Sequence, residues 1–127
     1  MHAYKRSNKI GAIKMNTITF GVPCSNLKDV WKVDIPCTDE GQAMAMAAGA
    51  WFAGKKPIVQ IQNSGLGNAV DIITSLYHPY KIPLPEIHIG YRTLPTQHSF
   101  MGKITEPLLK LLEYPGDKIR LYSRVGK

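Results

Sequence analysis

The feature that most constrains this chain is an alanine-rich run from Thr38 to Pro57, TDEGQAMAMAAGAWFAGKKP. Between Ala43 and Ala53 it carries no charged or strongly polar side chain. Ala43, Ala45, Ala47, Ala48, Ala50 and Ala53 dominate it, and alanine is the strongest helix former. Gly54 supplies a stop, Lys55 and Lys56 suit the negative end of the helix dipole, and Pro57 blocks continuation. A helix apolar on every side is expected to be buried on every side, and its small residues let other backbones approach closely. Glu40, at its mouth, is the odd residue. It is either a dipole partner, contributing about 0.3–1 kcal/mol, or a chemical group.

With 127 residues, the chain is expected to form one domain, 1–127, with residues 1–16 poorly ordered. Its 44% hydrophobic content is enough to build a core. Outside the alanine-rich run the apolar runs are too short for a membrane span. The N-terminus, MHAYKRSNKIGAIKMN, lacks the apolar stretch of a signal peptide. Cys24 and Cys37 have neither metal-ligand spacing nor a secretory context, so they read as reduced cytoplasmic thiols. The net charge of +7 comes from 16 basic and 9 acidic residues. The basic residues are scattered rather than clustered with aromatics, which argues for a solvated surface and against nucleic-acid binding.

In order, the chain reads as a short helix over 2–15 and a strand from Thr17 to Val22. A helix capped by Ser25 or Asn26 runs to about Lys32, and a brief strand spans Val33–Ile35. After the alanine-rich helix comes a strand Ile58–Gln62, the loop Asn63–Asn68 (NSGLGN) and a helix from about Asn68 to Tyr77. A strand Glu86–Gly90, a polar loop Arg92–Met101, a helix capped by Thr105 to about Glu113 and a strand Lys118–Tyr122 complete it. Strands alternating with helices predict a three-layer α/β/α sandwich around a mostly parallel sheet. Ligands bind such sheets outside the carboxyl ends of the strands. That edge collects Pro23-Cys24-Ser25, Thr38–Gly41, Asn63–Asn68 and Arg92–His98, which favours the chemical reading of Glu40.

Taken singly, the motifs are weak. QNSGLGN is not a Walker loop, because no GK[ST] follows, and no GxGxxG occurs. A lone loop histidine such as His98 is more often a surface residue, and Arg92 is either solvated or an oxyanion ligand. His2, His78 and His88 show no metal spacing, so no metal site is expected in this chain.

Taken together, they carry a resemblance. GVPCSNLK, DEGQAMAMAAGAWFAGKKP, QNSGLGNAV, SLYHPYKIP, GYR and TQHSFMGKIT, in that order over residues 17–113, resemble the sulfopyruvate and phosphonopyruvate decarboxylases. The resemblance implies the pyrimidine-binding domain of a thiamine diphosphate enzyme. Glu40 would bond the aminopyrimidine ring and favour its imino tautomer, with Gln62, Asn63, Ser64, Gly65 and Leu66 facing the cofactor. His98 would carry a proton. Cys24, Ser25, Asn68, Arg92 and Lys103 would meet a small anionic 2-oxo acid, Arg92 and Lys103 at its tail. The family's GDG motif for Mg²⁺ and diphosphate is absent, since Gly116-Asp117-Lys118 lies too near the end. This implies an α subunit that works with a β subunit holding Mg²⁺ and diphosphate, in a hetero-oligomer. Against the family pattern, the Ser25–Asp39 segment is short and the C-terminal end stops early. The rival reading is an inactive relic that only binds its partner.

Overall fold

The structure, a computed structural model, describes residues 16–23, 32–92 and 96–123. The expected helix over 2–15 lies outside them, as does most of the helix ending near Lys32. Five parallel strands form one sheet in the order β2-β1-β3-β4-β5. They are β1 (Thr17–Gly21), β2 (Ile35–Pro36), β3 (Lys56–Gln62), β4 (Glu86–Tyr91) and β5 (Ile119–Ser123). Three helices connect them: α1 (Glu40–Phe52) before β3, α2 (Leu66–Ile72) before β4 and α3 (Ser99–Leu111) before β5. The chain leaves β1 for β2 on one side and returns through α1 to β3 on the other. The strand order therefore reverses between β1 and β3, and such a reversal opens a crevice beyond the carboxyl ends of those two strands. No described helix is long and apolar enough to cross a membrane.

Strand registration separates two faces, because successive side chains alternate. Phe20, Val59, Ile87 and Ile119 lie in one row, with Ile61, Ile89 and Leu121 in the next. This face joins Ala43, Met44, Ala47, Leu66, Ile73, Tyr77 and Leu109 of the helical layer in one apolar core. The opposite row holds Gly21 and the polar Gln60, His88 and Arg120. Gln60 Nε2 donates to His88 Nδ1 at 3.3 Å, and His88 Nε2 donates to Glu86 Oε2 at 2.6 Å.

α1 begins where the sequence placed it. Asp39 caps it, its Oδ1 accepting from Gln42 N at 2.9 Å. Gly54 ends it at φ 88°, with Lys55 N donating to Ala50 O and Gly54 N to Trp51 O, both at 3.0 Å. That is a Schellman closure, and glycine takes the left-handed position without strain. The expectation of burial on all sides is corrected. Ala43, Met44, Ala47 and Ala48 are buried, but Gln42, Ala45, Met46 and Gly49 face solvent, Met46 being 37% exposed. Apolar composition overstates burial here, because alanine forms helices wherever it sits.

α2 widens over Ile73–Tyr77 into a π turn. Tyr77 reaches from it to donate its hydroxyl to Met44 O at 2.6 Å, and burial pushes its phenol well above the usual range. A second correction concerns α3, which begins at Ser99 and not at Thr105. Thr-Glu-Pro reads as a helix start because proline is tolerated in a first turn. Instead Pro107 sits inside the helix, and Thr105 is buried with its hydroxyl donated back to Met101 O. The polar loop predicted to Met101 thus ends by Thr96, where a 3₁₀ turn, Thr96–His98, leads into α3.

A Cβ at Gly49 meets nothing within 4 Å, and mid-helix glycine costs about 0.5–1 kcal/mol against alanine. Gly49→Ala is expected to raise the thermal midpoint of the free chain by about 2–5 °C; calorimetry finding no rise would mean that something already approaches this face. The hydrogen bond from His88 pulls the Glu86 carboxyl below its usual range, aided by the charges of His88, Arg120 and Lys56 and opposed by burial. A depressed carboxylate stabilises the fold above its unfolded value of about 4.3, and that contribution is lost as pH falls through the folded value. Glu86→Gln should therefore flatten the acid limb of urea-unfolding stability below about pH 4. An acid limb superimposable on wild type would show that the pair contributes nothing.

Candidate active site

The crevice at the β1/β3 reversal receives the first turn of α1 on one side and the turn Asn63–Gly65 on the other. Glu40, the first residue of α1, is only 8% exposed. Its Oε1 accepts from Asn68 Nδ2 at 2.9 Å. Gly65 explains how the carboxyl fits: a Cβ there would land inside the Glu40 carboxyl group, with Glu40 Cγ 2.6 Å away. Gly41 makes the same close approach possible one residue on. A Cβ at Gly41 would stand 2.9 Å from Asn68 O and 3.1 Å from Asp39 Oδ1. Two glycines thus let the opening turns of α1 and α2 close on a single carboxylate.

A second cluster lies at the other end of the Asn63–Gly65 turn. Asn63 is completely buried, and all of its polar capacity faces inward. Its Oδ1 accepts from Arg92 N at 3.0 Å, while its Nδ2 donates to Arg92 O and to Thr105 Oγ1, both at 3.1 Å. The end of β4 is thereby fastened to β3 and α3 through one side chain. Tyr91 adds a hydroxyl hydrogen bond to Gly102 O. Arg92 Nη1 donates to Gln62 Oε1 at 3.3 Å, and Arg92 Nε is shielded from solvent with no partner among the described residues.

The sequence-predicted residues therefore divide. Glu40, Gly65 and Asn68 meet, and Gln62, Asn63 and Arg92 meet. Asn68, expected at the substrate, orients the Glu40 carboxyl. Asn63 and Leu66 are wholly buried, so Asn63 serves as a brace and Leu66 as core. Ser64 is exposed on the turn between the clusters. His98 is half-buried at the start of α3, and Lys103 is exposed one turn further along that helix. Cys24 and Ser25 lie outside the described residues. The sequence reading missed Thr105 and Gly41 as site-building residues. The glycine directly after Glu40 was the available signal for Gly41, whereas Thr105 had none beyond a misleading helix-start pattern. Cys37 is a buried free thiol, its pKa raised chiefly by that burial. No cluster of three or more histidine, cysteine, aspartate or glutamate side chains suited to a metal ion occurs among the described residues.

Chemically, the first cluster offers a carboxyl group lifted largely out of water and held by one amide. The second offers a guanidinium with an unmatched donor. The carboxyl group and the guanidinium are anchored at the two ends of one turn, outside the carboxyl ends of the central strands.

No protein-family model matches this chain. Curated relatives do. The α subunit of sulfopyruvate decarboxylase from Methanocaldococcus jannaschii is 40% identical over 119 residues, covering 82% of this chain and 69% of that protein. The corresponding subunit of Methanothermobacter thermautotrophicus is 38% identical over 108 residues, covering 74% of this chain and 64% of that protein. A phosphonopyruvate decarboxylase of Streptomyces viridochromogenes is 41% identical over 110 residues, with 76% of this chain matching 28% of that protein. The chain thus spans about two thirds of the α subunits and little more than a quarter of the Streptomyces protein. By identity and coverage, the chain belongs to the family of sulfopyruvate decarboxylase α subunits and phosphonopyruvate decarboxylases.

Proposed function

We propose that this chain is the α subunit of a cytoplasmic, thiamine diphosphate-dependent decarboxylase. It converts 3-sulfopyruvate or 3-phosphonopyruvate into carbon dioxide and sulfoacetaldehyde or phosphonoacetaldehyde. The chain acts as a single pyrimidine-binding domain, and a β subunit holds Mg²⁺ and the diphosphate in an assembly with at least two copies of each. The observation that carries this reading is the Glu40 carboxyl, buried against Gly65 at the sheet's ligand-binding edge.

The residues present fit the pyrimidine end of the cofactor. Glu40 presents an acid in a largely water-free cleft, where a hydrogen bond to a ring nitrogen is stronger than in water. Asn68 occupies Oε1 and so fixes the carboxyl plane, and Gly65 leaves the space a side chain would fill. When bound, thiamine diphosphate supplies the electron sink that accepts the pair left by departing carbon dioxide. Glu40 would hydrogen-bond the ring nitrogen. His98, at the mouth of α3, is assigned the proton transfer to the product carbon.

Glu40→Gln separates this role from a helix-dipole role. The dipole alone predicts a stability loss of at most about 1 kcal/mol and no specific loss of chemistry. In the α/β holoenzyme the substitution should leave assembly intact and lower decarboxylation roughly a hundredfold or more. Exchange of the thiazolium proton with deuterated water should slow with it. Wild-type exchange in the variant would make Glu40 only a cap, and decarboxylation by the purified chain without the β subunit would overturn the split-enzyme assignment. A wild-type holoenzyme that assembles but never turns over would favour the inactive partner-binding subunit.

Gly65→Ala tests the same site from the opposite side. Gly65 has no left-handed φ to defend (φ −90°), so the backbone tolerates alanine, but the new Cβ must expel the carboxyl. Activity should fall about as far as in Glu40→Gln, with circular dichroism and assembly unchanged. An active Gly65→Ala enzyme would show that the carboxyl's position against this turn is not needed for the reaction.

A further inference from the structure

We propose that Asn63 and Thr105 are positioning residues for His98: the bond between them fixes the start of α3 against the turn on which the Glu40 carboxyl packs. This rests on the decarboxylase reading, in which His98 passes a proton to the product carbon, and adds to it what holds His98 in place. His98 caps α3, and Gly102, Thr105 and Leu109 follow it at intervals of four, three and four residues. That spacing puts all four on one face of the helix. Gly102, Thr105 and Leu109 are buried and His98 is half-buried, whereas Phe100, Lys103 and Glu106 are exposed. His98 therefore shares the face that packs on the end of the sheet. Two side chains bond this face from the sheet side. Tyr91, at the end of β4, donates its hydroxyl to Gly102 O, and Asn63 Nδ2 donates to Thr105 Oγ1 at 3.1 Å. Thr105 passes the tie one turn back toward His98, donating its own hydroxyl to Met101 O.

The start of α3 needs such ties because the helix is weak behind it. Pro107 lies inside α3. It has no N–H, so the carbonyl of Lys103, four residues earlier, loses its helical donor, and the proline ring crowds that carbonyl. Residues 99–103 are thus poorly joined to the later part of the helix, where Leu109 is sunk in the core. Thr105 sits at this joint, between Lys103 and Pro107, and Asn63 holds it from outside the helix. Asn63 is completely buried and is the first residue of the 3₁₀ turn Asn63–Gly65. Gly65, the last residue of that turn, is the one whose bare backbone receives the Glu40 carboxyl. One turn thus grips α3 at its first residue and the acid at its last, roughly 4 Å apart at about 2 Å of rise per residue. The proton step depends on this register. The carbon that has lost carbon dioxide takes a proton from the imidazole, which regains one from water, and such a transfer needs donor and carbon held at close range.

The test uses the α/β holoenzyme with Thr105→Val, which keeps the shape and removes the hydroxyl, and Thr105→Ser, which keeps the hydroxyl, each checked for assembly. Amide hydrogen exchange read by mass spectrometry should rise about tenfold over residues 99–103 in Thr105→Val, with Leu66–Ile72 unchanged and Thr105→Ser close to wild type. In Thr105→Val, thiazolium proton exchange and first-turnover release of carbon dioxide should stay within about twofold of wild type, while aldehyde release slows about tenfold. Adding Pro107→Ala, which restores the donor to Lys103 O, should return much of both losses. With His98→Asn already in place, Thr105→Val should cost little more, because both act on one step. Unchanged amide exchange over residues 99–103 overturns the proposal. So does an equal slowing of every step, or a loss that adds fully to that of His98→Asn, either of which marks a merely structural threonine. Aldehyde release at the wild-type rate, in Thr105→Val with a loosened α3 or in His98→Asn, overturns it as well. If the wild type assembles but turns nothing over, the decarboxylase reading fails, while loosening of residues 99–103 that Pro107→Ala reverses leaves the hold on α3 standing.

Discussion

The packing of the Glu40 carboxyl against the bare backbone of Gly65 is the contact on which the rest of this site depends. A largely buried carboxylate is costly unless its surroundings are built for it, and here two elements are shaped by that need. Gly65 removes a side chain at the end of β3, and Gly41 removes another in α1, so the first turns of α1 and α2 come close enough for Asn68 to reach Glu40. The sheet makes the meeting possible. α1 enters from β2 and α2 leaves from β3, and these strands flank β1, where the strand order reverses. Neither glycine is there for a left-handed turn. Each is there for space.

How much of this was legible in the sequence varied with the kind of signal. α1 announced itself because alanine composition, the Gly54 stop and Pro57 agreed, and each is a local effect. The central strands β3 and β4 were found to within two residues at their ends for the same reason. α3 was misjudged because Thr105 and Pro107 imitate a helix start, while what sets the helix there is a tertiary bond from Asn63 to Thr105 across 42 positions. Nothing local records that bond. Burial of α1 was overread for a related reason: alanine content reports helix formation, and only the packed neighbours decide which side is covered.

The candidate site was legible as an edge but not as a geometry. Parallel topology alone gathers Glu40, the Asn63–Asn68 loop and Arg92 at one end of the sheet. Which of them would touch was beyond reach. Asn68 faces Glu40, and Asn63 has become the brace between β3, β4 and α3. Both are amides in a glycine-bearing loop, a composition that fits ligand contact and internal bracing equally well. Only the count of bonds already made separates the two.

That count also separates the core from the edge. Deep in the fold, polar groups are matched: Tyr77 to Met44 O, Tyr114 to Pro85 O, and Asn63 with both amide hydrogens and its Oδ1 bonded. The two unmatched buried atoms among the described residues are Gln60 Oε1 and Arg92 Nε, both on the carboxyl-terminal half of the central strands or just beyond. They sit toward the edge where the strand order opens a crevice, with Gln62, the partner of Arg92, two residues beyond Gln60 on the same face of β3. A fold that pairs its polar groups elsewhere keeps this spare hydrogen-bonding capacity toward the carboxyl-terminal edge of the sheet.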